Sequence, residues 1–147
     1  MKKLIGACVL SIVAMACSQT TGTDYKTERD EVMKIHDVVM GDHSAIVNNQ
    51  MKLDTLLNDL KGLKVKYPET DTLQEKGKIK GLIEDLNKAE ELMNDWMHKF
   101  EPDISGKSNE EAISYFKAEH VKILAVDSLY KKEIKLSDEY LSKFGKK

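Results

Sequence analysis

Apolar residues recur every seven positions along three long stretches of the chain, and each repeat predicts a helix. In the first stretch the repeat runs without a break through Val32, Val39, Ile46, Leu53 and Leu60. A seven-residue apolar repeat is typical of a helix that packs one seam against neighbouring helices. We predict this helix over about residues 27–63. It should be ended by Gly62 and then by Tyr67 and Pro68, because the residue before a proline is disfavoured in a helix.

The second stretch carries the same repeat and has clear signals at both ends. Thr72 followed by Glu75 predicts a capping box at its start, and Pro102 predicts its end. We therefore expect a second helix over about residues 72–101. Its seam consists of Ile79, Leu86, Met93 and Phe100, flanked by Leu82, Ile83, Ala89, Trp96 and Met97.

The third stretch opens with a second predicted capping box, from Ser108 to Glu111. The apolar pattern continues almost to the last residue and predicts a helix over about residues 108–144. Its seam consists of Ile113, Phe116, Ile123, Tyr130, Ile134, Leu141 and Phe144.

Three long helices joined by short turns are expected to pack antiparallel. The predicted fold class is therefore all-α, an antiparallel three-helix bundle (up-down-up) with long coiled-coil-like helices over residues 27–147. Polar side chains interrupt the predicted seams at Asp42, Asn49, His120 and Asp127. Buried polar groups of this kind either set the register between helices or form a metal site or an acid–base pair. The register interpretation is favoured, because the Glu-x-x-His pattern of di-iron bundles is absent from the sequence.

The first residues have the layout of a secretory signal. Lys2 and Lys3 precede an apolar segment, Leu4 to Ala16, that is shorter than the roughly 20 residues of a membrane-spanning helix. Cys17 stands directly after it, as in the signals of bacterial lipoproteins. We predict a removed signal peptide over residues 1–16, lipidation of Cys17, and a flexible tether over residues 17–26. The alternative is ordinary signal cleavage after Ala14-Met15-Ala16, which leaves Cys17 without lipid.

Lipidation at Cys17 implies a membrane anchor made of fatty acyl chains, palmitate among them, because stable attachment takes more than one chain. Ser18 follows the cysteine, where an aspartate favours inner-membrane retention in some Gram-negative bacteria. The expected location is therefore the cell envelope, lipid-anchored at the outer membrane.

Composition excludes several kinds of site. The only two cysteines are Cys8, inside the predicted signal, and Cys17, so the predicted bundle has no thiol for a disulfide, a zinc site or a nucleophile. Removing Lys2 and Lys3 leaves 21 of the 23 basic residues against 25 acidic ones, a net charge of −4. Arg29 is the only arginine. Recognition of nucleic acid relies strongly on arginine, so no nucleic-acid partner is expected.

A Val-Met-x-x-His pattern occurs twice in the first helix, seven residues apart. Met33, His36, Met40 and His43 fall on one helical stripe about 80° wide. Thioether and imidazole groups together bind copper, and imidazole binds haem iron, so these four residues are candidate metal ligands. The alternative, which we favour, is that they pack or border the core, since no known ligand spacing completes a coordination shell.

The run from Arg29 to Met40 that contains this pattern resembles small Gram-negative bacterial lipoproteins of unknown function, sometimes labelled "viral A-type inclusion protein". The resemblance covers the signal, this run and, loosely, the helical remainder. Similar sequences often carry a proline where this chain has Gly41. The resemblance implies a lipid-anchored helical protein, and it implies no activity and no catalytic residue.

Together these patterns predict a lipid-anchored envelope protein that acts as a structural or protein-interaction module. No cofactor is expected. No enzymatic activity is expected either, since the one trio of catalytic residue types, Asp42, His43 and Ser44, consists of consecutive helix residues whose side chains diverge too far to form a catalytic relay. The expected partners are the membrane, through Cys17, and either an envelope protein or a second copy of the chain. Trp96 and Tyr115 are the candidate contact residues. The alternative function is metal or haem binding by the Met/His stripe.

Overall fold

A computed structural model describes residues 24–145 and places most of them in four helices. These are α1 (Tyr25–Asn58), α2 (Leu60–Lys66), α3 (Thr72–Lys99) and α4 (Asn109–Ser142). No β-strand occurs between residues 24 and 145, and the predicted all-α class is confirmed. The predicted signal peptide (1–16), Cys17 and residues 18–23 of the predicted tether lie outside the described residues.

The first helix starts two residues earlier than predicted because Asp24 caps it. The Asp24 carboxylate accepts a hydrogen bond from the Lys26 backbone N–H at 3.1 Å, which satisfies one of the free donors of the first turn. The Tyr25 ring then stacks on Phe116 of α4, with ring centroids 6.3 Å apart. Residues 25 and 26 therefore belong to the helix and not to a tether.

A break at Asp59 divides the predicted first helix into α1 and α2. Asp59 has φ −122° and ψ 50°, outside the helical region, and its side chain accepts a hydrogen bond from the Gly62 N–H at 2.9 Å. Gly62 therefore takes part in starting α2 and does not end the first helix. A Cβ at position 62 would collide with the Asp59 carboxylate and displace it from this capping position. As predicted, helix ends before Tyr67-Pro68.

The two predicted capping boxes have different outcomes. At α4 the Ser108 side chain bonds the Glu111 N–H and the Glu111 side chain bonds the Ser108 N–H, so this capping box is confirmed. At α3 the prediction is wrong, because Asp71, not Thr72, is the N-cap and accepts from the backbone of residues 73 and 74. Glu75 is then free to bond Lys78 and Tyr140 instead.

The predicted seams form the core. Fully buried side chains from α1, α3 and α4 meet in one cluster, and each contributes roughly 1.5–3 kcal/mol by leaving water. Its members include Val32, Val39, Ile46, Leu53, Ile79, Leu86, Met93, Phe116, Ile123 and Tyr130. Leu60, Phe100, Ile134, Leu141 and Phe144 are only partly buried, because they lie near helix ends or at the edge of the seam. Met97 was expected beside the seam but is 36% exposed.

Contacts between the long helices define their directions. The starts of α1 and α4 meet at Tyr25 and Phe116, and their later parts meet at Asn49 and Ser137, so these two helices run the same way. The start of α3 meets the end of α4 where Tyr140 donates to Glu75, so α3 runs opposite to both. None of the helices over residues 24–145 is long and apolar enough to cross a membrane.

Candidate functional site

The predicted Met/His stripe lies on the side of α1 that faces α3. His36 Nδ1 is 2.9 Å from a carboxylate oxygen of its neighbour Asp37, and its ring centroid is 5.9 Å from that of Trp96. His43 Nε2 is 3.8 Å from Glu90 Oε1 on α3. Each histidine therefore lies beside a different carboxylate, and His36 also contacts an aromatic ring.

The remaining stripe residues differ in exposure, Met33 being half-buried and Met40 exposed. His98 near the end of α3 has Nδ1 2.7 Å from the Asn94 carbonyl oxygen of its own helix. Within residues 24–145, no group of three or more His, Cys, Asp or Glu side chains is arranged to hold a metal ion. Metal or haem binding by the stripe stays a prediction.

Of the polar residues in the predicted seams, Asn49 forms a contact between helices and Asp127 forms one within α4. Asn49 on α1 is buried and donates to Ser137 Oγ at 2.9 Å and to Asp138 Oδ1 at 2.8 Å, both on α4. An amide paired in this way fixes one helix against the other along its length. Asp127 is buried on α4, where one carboxylate oxygen accepts from Lys131 at 2.7 Å. His120, also predicted in the seam, is only half-buried.

Three buried polar atoms on α4 lack a hydrogen-bond partner among the described residues. They are Asp127 Oδ1, Tyr130 OH and Glu133 Oε2, all within two turns of one helix. Burial raises the pKa of Tyr130 to about 12, and the nearby Glu90 carboxylate acts in the same direction. Burying these unpaired polar groups therefore destabilises this part of the core. The neighbouring layers of the core carry no such cost among the described residues.

An open groove of about 340 Å³ runs between α3 and α4. Its apolar lining comes from Leu92, Trp96, Ala125 and Val126, and Asp95, Lys99, Glu119 and Lys122 supply charged groups beside it. Leu92 is 43% exposed, so the apolar lining continues to the molecular surface.

A hydrogen-bonded chain holds the Trp96 ring in this groove. Trp96 Nε1 donates to Glu119 Oε2 at 2.9 Å, and the other oxygen of Glu119 accepts from Lys122 Nζ at 2.6 Å. Glu119 is only 4% exposed, so its charge is compensated by these two donors. The bond to Glu119 raises the pKa of Lys122. On its other side Trp96 stacks on Phe100 with ring centroids 4.7 Å apart, which fixes the ring against the core.

The sequence named Trp96 but not the rest of this groove. Tyr115, the other predicted contact residue, does not line it. Its ring stacks on Phe100 and its hydroxyl accepts from the Glu101 N–H at 2.7 Å. Leu92 and Ala125 lie outside the heptad seams, and an apolar residue outside a seam is a sequence signal for apolar surface.

Comparison with known proteins adds no assignment. No family model, no curated protein and no solved structure matches this chain.

Replacing Glu119 tests whether it holds Trp96. Glu119→Leu should lower the free energy of unfolding by about 1–3 kcal/mol, because the buried indole N–H loses its acceptor. Glu119→Gln keeps an acceptor oxygen and should cost clearly less. The measurement is urea unfolding followed by the fluorescence of Trp96, the only tryptophan. Lys88→Gln is the control, since it removes a lysine only from exposed ion pairs, which contribute at most about 1 kcal/mol. Equal losses in the leucine and glutamine variants would show that the hydrogen bond does not matter.

Tyr130→Phe tests the unpaired hydroxyl. At neutral pH the variant should be as stable as the parent or more stable, because it removes a buried polar group that has no partner among residues 24–145. In the parent, the folded-state pKa of about 12 exceeds the ordinary value of 10.0, so stability should fall as pH rises from 10.0 towards 12. The variant should lose less stability over that range in urea unfolding. A large loss at neutral pH would contradict the unpaired state of the hydroxyl.

Proposed function

We propose that this chain is a lipid-anchored protein of the bacterial cell envelope that acts as a non-catalytic interaction module. Its domain is a three-helix bundle of α1, α3 and α4 in the up-down-up sense, with α2 as an extension of the first helix. Cys17 carries the lipid and attaches the domain to a membrane, which we propose is the outer membrane. The groove between α3 and α4 binds a helix of an envelope protein.

The groove is the observation that supports this function. Its lining spans residues 92–99 of α3 and 119–126 of α4, about two helical turns or roughly 10 Å on each side. A partner helix in such a groove is held by apolar residues at i, i+3 or i+4, and i+7, and two turns accommodate that set. Leu92 and Ala125 supply the exposed apolar part of the lining, whereas Trp96 is only 6% exposed and borders the groove from the core cluster.

The position of the groove fits an anchored domain. Trp96 contacts His36 in the first part of α1, and Glu119 lies in the first part of α4, so the groove is nearer to the start of α1 than to α2. A lipid on Cys17 keeps the start of α1 close to the membrane, because residues 17–23 reach at most about 25 Å when extended. The groove is then presented to proteins of the same membrane.

Site-specific photo-crosslinking in intact cells tests the groove. A photoreactive residue at Leu92 should crosslink to a helical segment of a partner, whereas one at Met51, which is exposed on α1, should not. Ala125→Lys should abolish the Leu92 product by filling the groove, and Ser128→Lys, exposed on the same helix, is the matched control. The proposal is contradicted if the crosslinked product is equally abundant from Leu92 and Met51, or if the Leu92 product persists in the Ala125→Lys variant. A crosslink to a second copy identifies self-association as the interaction.

Mass spectrometry of the mature N-terminus tests the anchor. The expected species begins at Cys17 and carries a diacylglyceryl group and an amide-linked acyl chain. Cys17→Ser should release the protein from membranes washed at high salt, where the parent stays bound, because no acyl anchor is then available and salt screens other contacts with lipid charge. An unmodified Cys17 amine would remove the anchor from the proposal and leave the groove untouched.

A further inference from the structure

The end of the molecule formed by α2 and the first turns of α3 is unusually apolar for an exposed surface. Val65 is 81% exposed and Leu73 is 80% exposed, the two highest values among large hydrophobic residues between 24 and 145. Leu60 and Leu73 line an open groove of about 370 Å³ at the same place. Neither exposed side chain contributes to the core, so packing within the domain does not explain them.

Lysines surround these apolar side chains. The Leu60–Leu73 groove is also lined by Lys61, Lys64 and Lys76. Lys66 lies over the Tyr67 ring at 5.5 Å, and the Lys64 amine donates to the Thr70 carbonyl oxygen. None of these four lysines forms an ion pair with a side chain in the described part of the chain. Helix α2 itself contains three lysines and no acidic residue.

The carboxylates at this end are mostly engaged with the protein. Asp59 and Asp71 cap α2 and α3, where each accepts backbone N–H groups and faces the positive end of a helix. Glu75 accepts hydrogen bonds from Lys78 and Tyr140. Glu69 is exposed and forms no ion pair with residues 24–145. Three of these four carboxylates are therefore engaged at helix starts or in the α3–α4 contact, while Glu69 and the lysines of α2 are exposed.

We propose that this surface, defined by Lys61, Lys64, Val65, Lys66, Leu73 and Lys76, binds an anionic phospholipid membrane. Lysine amines attract lipid phosphates, and their aliphatic chains lie along apolar surface while the charge stays at the headgroups. Val65 and Leu73 enter the boundary between headgroups and acyl chains, where apolar side chains gain free energy. Lys61 and Val65 are i, i+4 neighbours on α2, so cation and apolar group reach the membrane together.

This contact is separate from the lipid on Cys17 and from the α3–α4 groove. The 34 residues of α1 lie between the tether and α2, a distance of about 50 Å along the helix. The domain therefore has a second membrane contact at the end opposite its proposed anchor. Failure of either proposal leaves the other standing.

The test uses the chain from residue 17 onward with Cys17→Ser, so that neither the predicted signal nor a lipid anchor contributes, and measures co-sedimentation with phospholipid vesicles. Binding should be strong to phosphatidylcholine mixed with phosphatidylglycerol and weak to phosphatidylcholine alone, and it should fall with added salt. Changing the four surface lysines to glutamine should reduce the partition coefficient by about tenfold or more. Val65→Ser with Leu73→Ser should reduce it by several-fold.

A matched control variant has the same numbers of changes on the long helices: Lys34→Gln, Lys88→Gln, Lys117→Gln, Lys135→Gln, Val38→Ser and Val121→Ser. It should bind vesicles as the parent does, and circular dichroism should show equal helix content in all variants. The proposal is overturned if the control loses as much binding as the α2 variants, or if binding does not depend on anionic lipid. It is also overturned if the chain binds soluble polyphosphate but not vesicles.

Discussion

The structure depends on one continuous apolar seam along α1. Val32, Val39, Ile46 and Leu53 are fully buried, and the seams of α3 and α4 close over them. This seam extends over most of a 34-residue helix, so α3 and α4 pack against α1 along their length. The same packing decides which faces of α3 and α4 remain exposed to solvent. The groove beside Trp96 and the exposed residues of α2 both lie where this packing of α1, α3 and α4 leaves apolar side chains uncovered.

Hydrogen bonds between side chains of different helices then fix the register of the helices at separate positions along the core. Asn49 with Ser137, Tyr140 with Glu75 and Trp96 with Glu119 each join two helices by a hydrogen bond between side chains. Such pairs lose their partners if a helix slides by one turn, so they oppose alternative registers that an apolar seam alone would accept. The stretch from Asp127 to Glu133 is different, because it buries polar atoms that have no partner among the described residues.

The two ends of the domain differ in chemistry. Near the start of α1, the rings of Tyr25, Trp96, Phe100, Tyr115 and Phe116 contact one another in a chain and close the core. At the other end, α2 is short, rich in lysine and only partly packed, so Val65 remains in solvent. This asymmetry is consistent with the proposed anchor at Cys17, which would lie nearer to the apolar groove than to the lysine-rich end.

The sequence by itself determined the helical class, the seams and the capping box at Ser108, because helix periodicity and capping depend on residues only a few positions apart. It did not determine the break at Asp59, where a side chain competes with the backbone pattern, or the choice of Asp71 over Thr72 as a cap. Only the tertiary structure decided that Glu119 is buried and Met97 exposed. Both flank a seam, and the side on which a neighbouring helix lies decides which flanking residue is covered. The groove follows for the same reason, since its lining comes from two helices that only packing brings together.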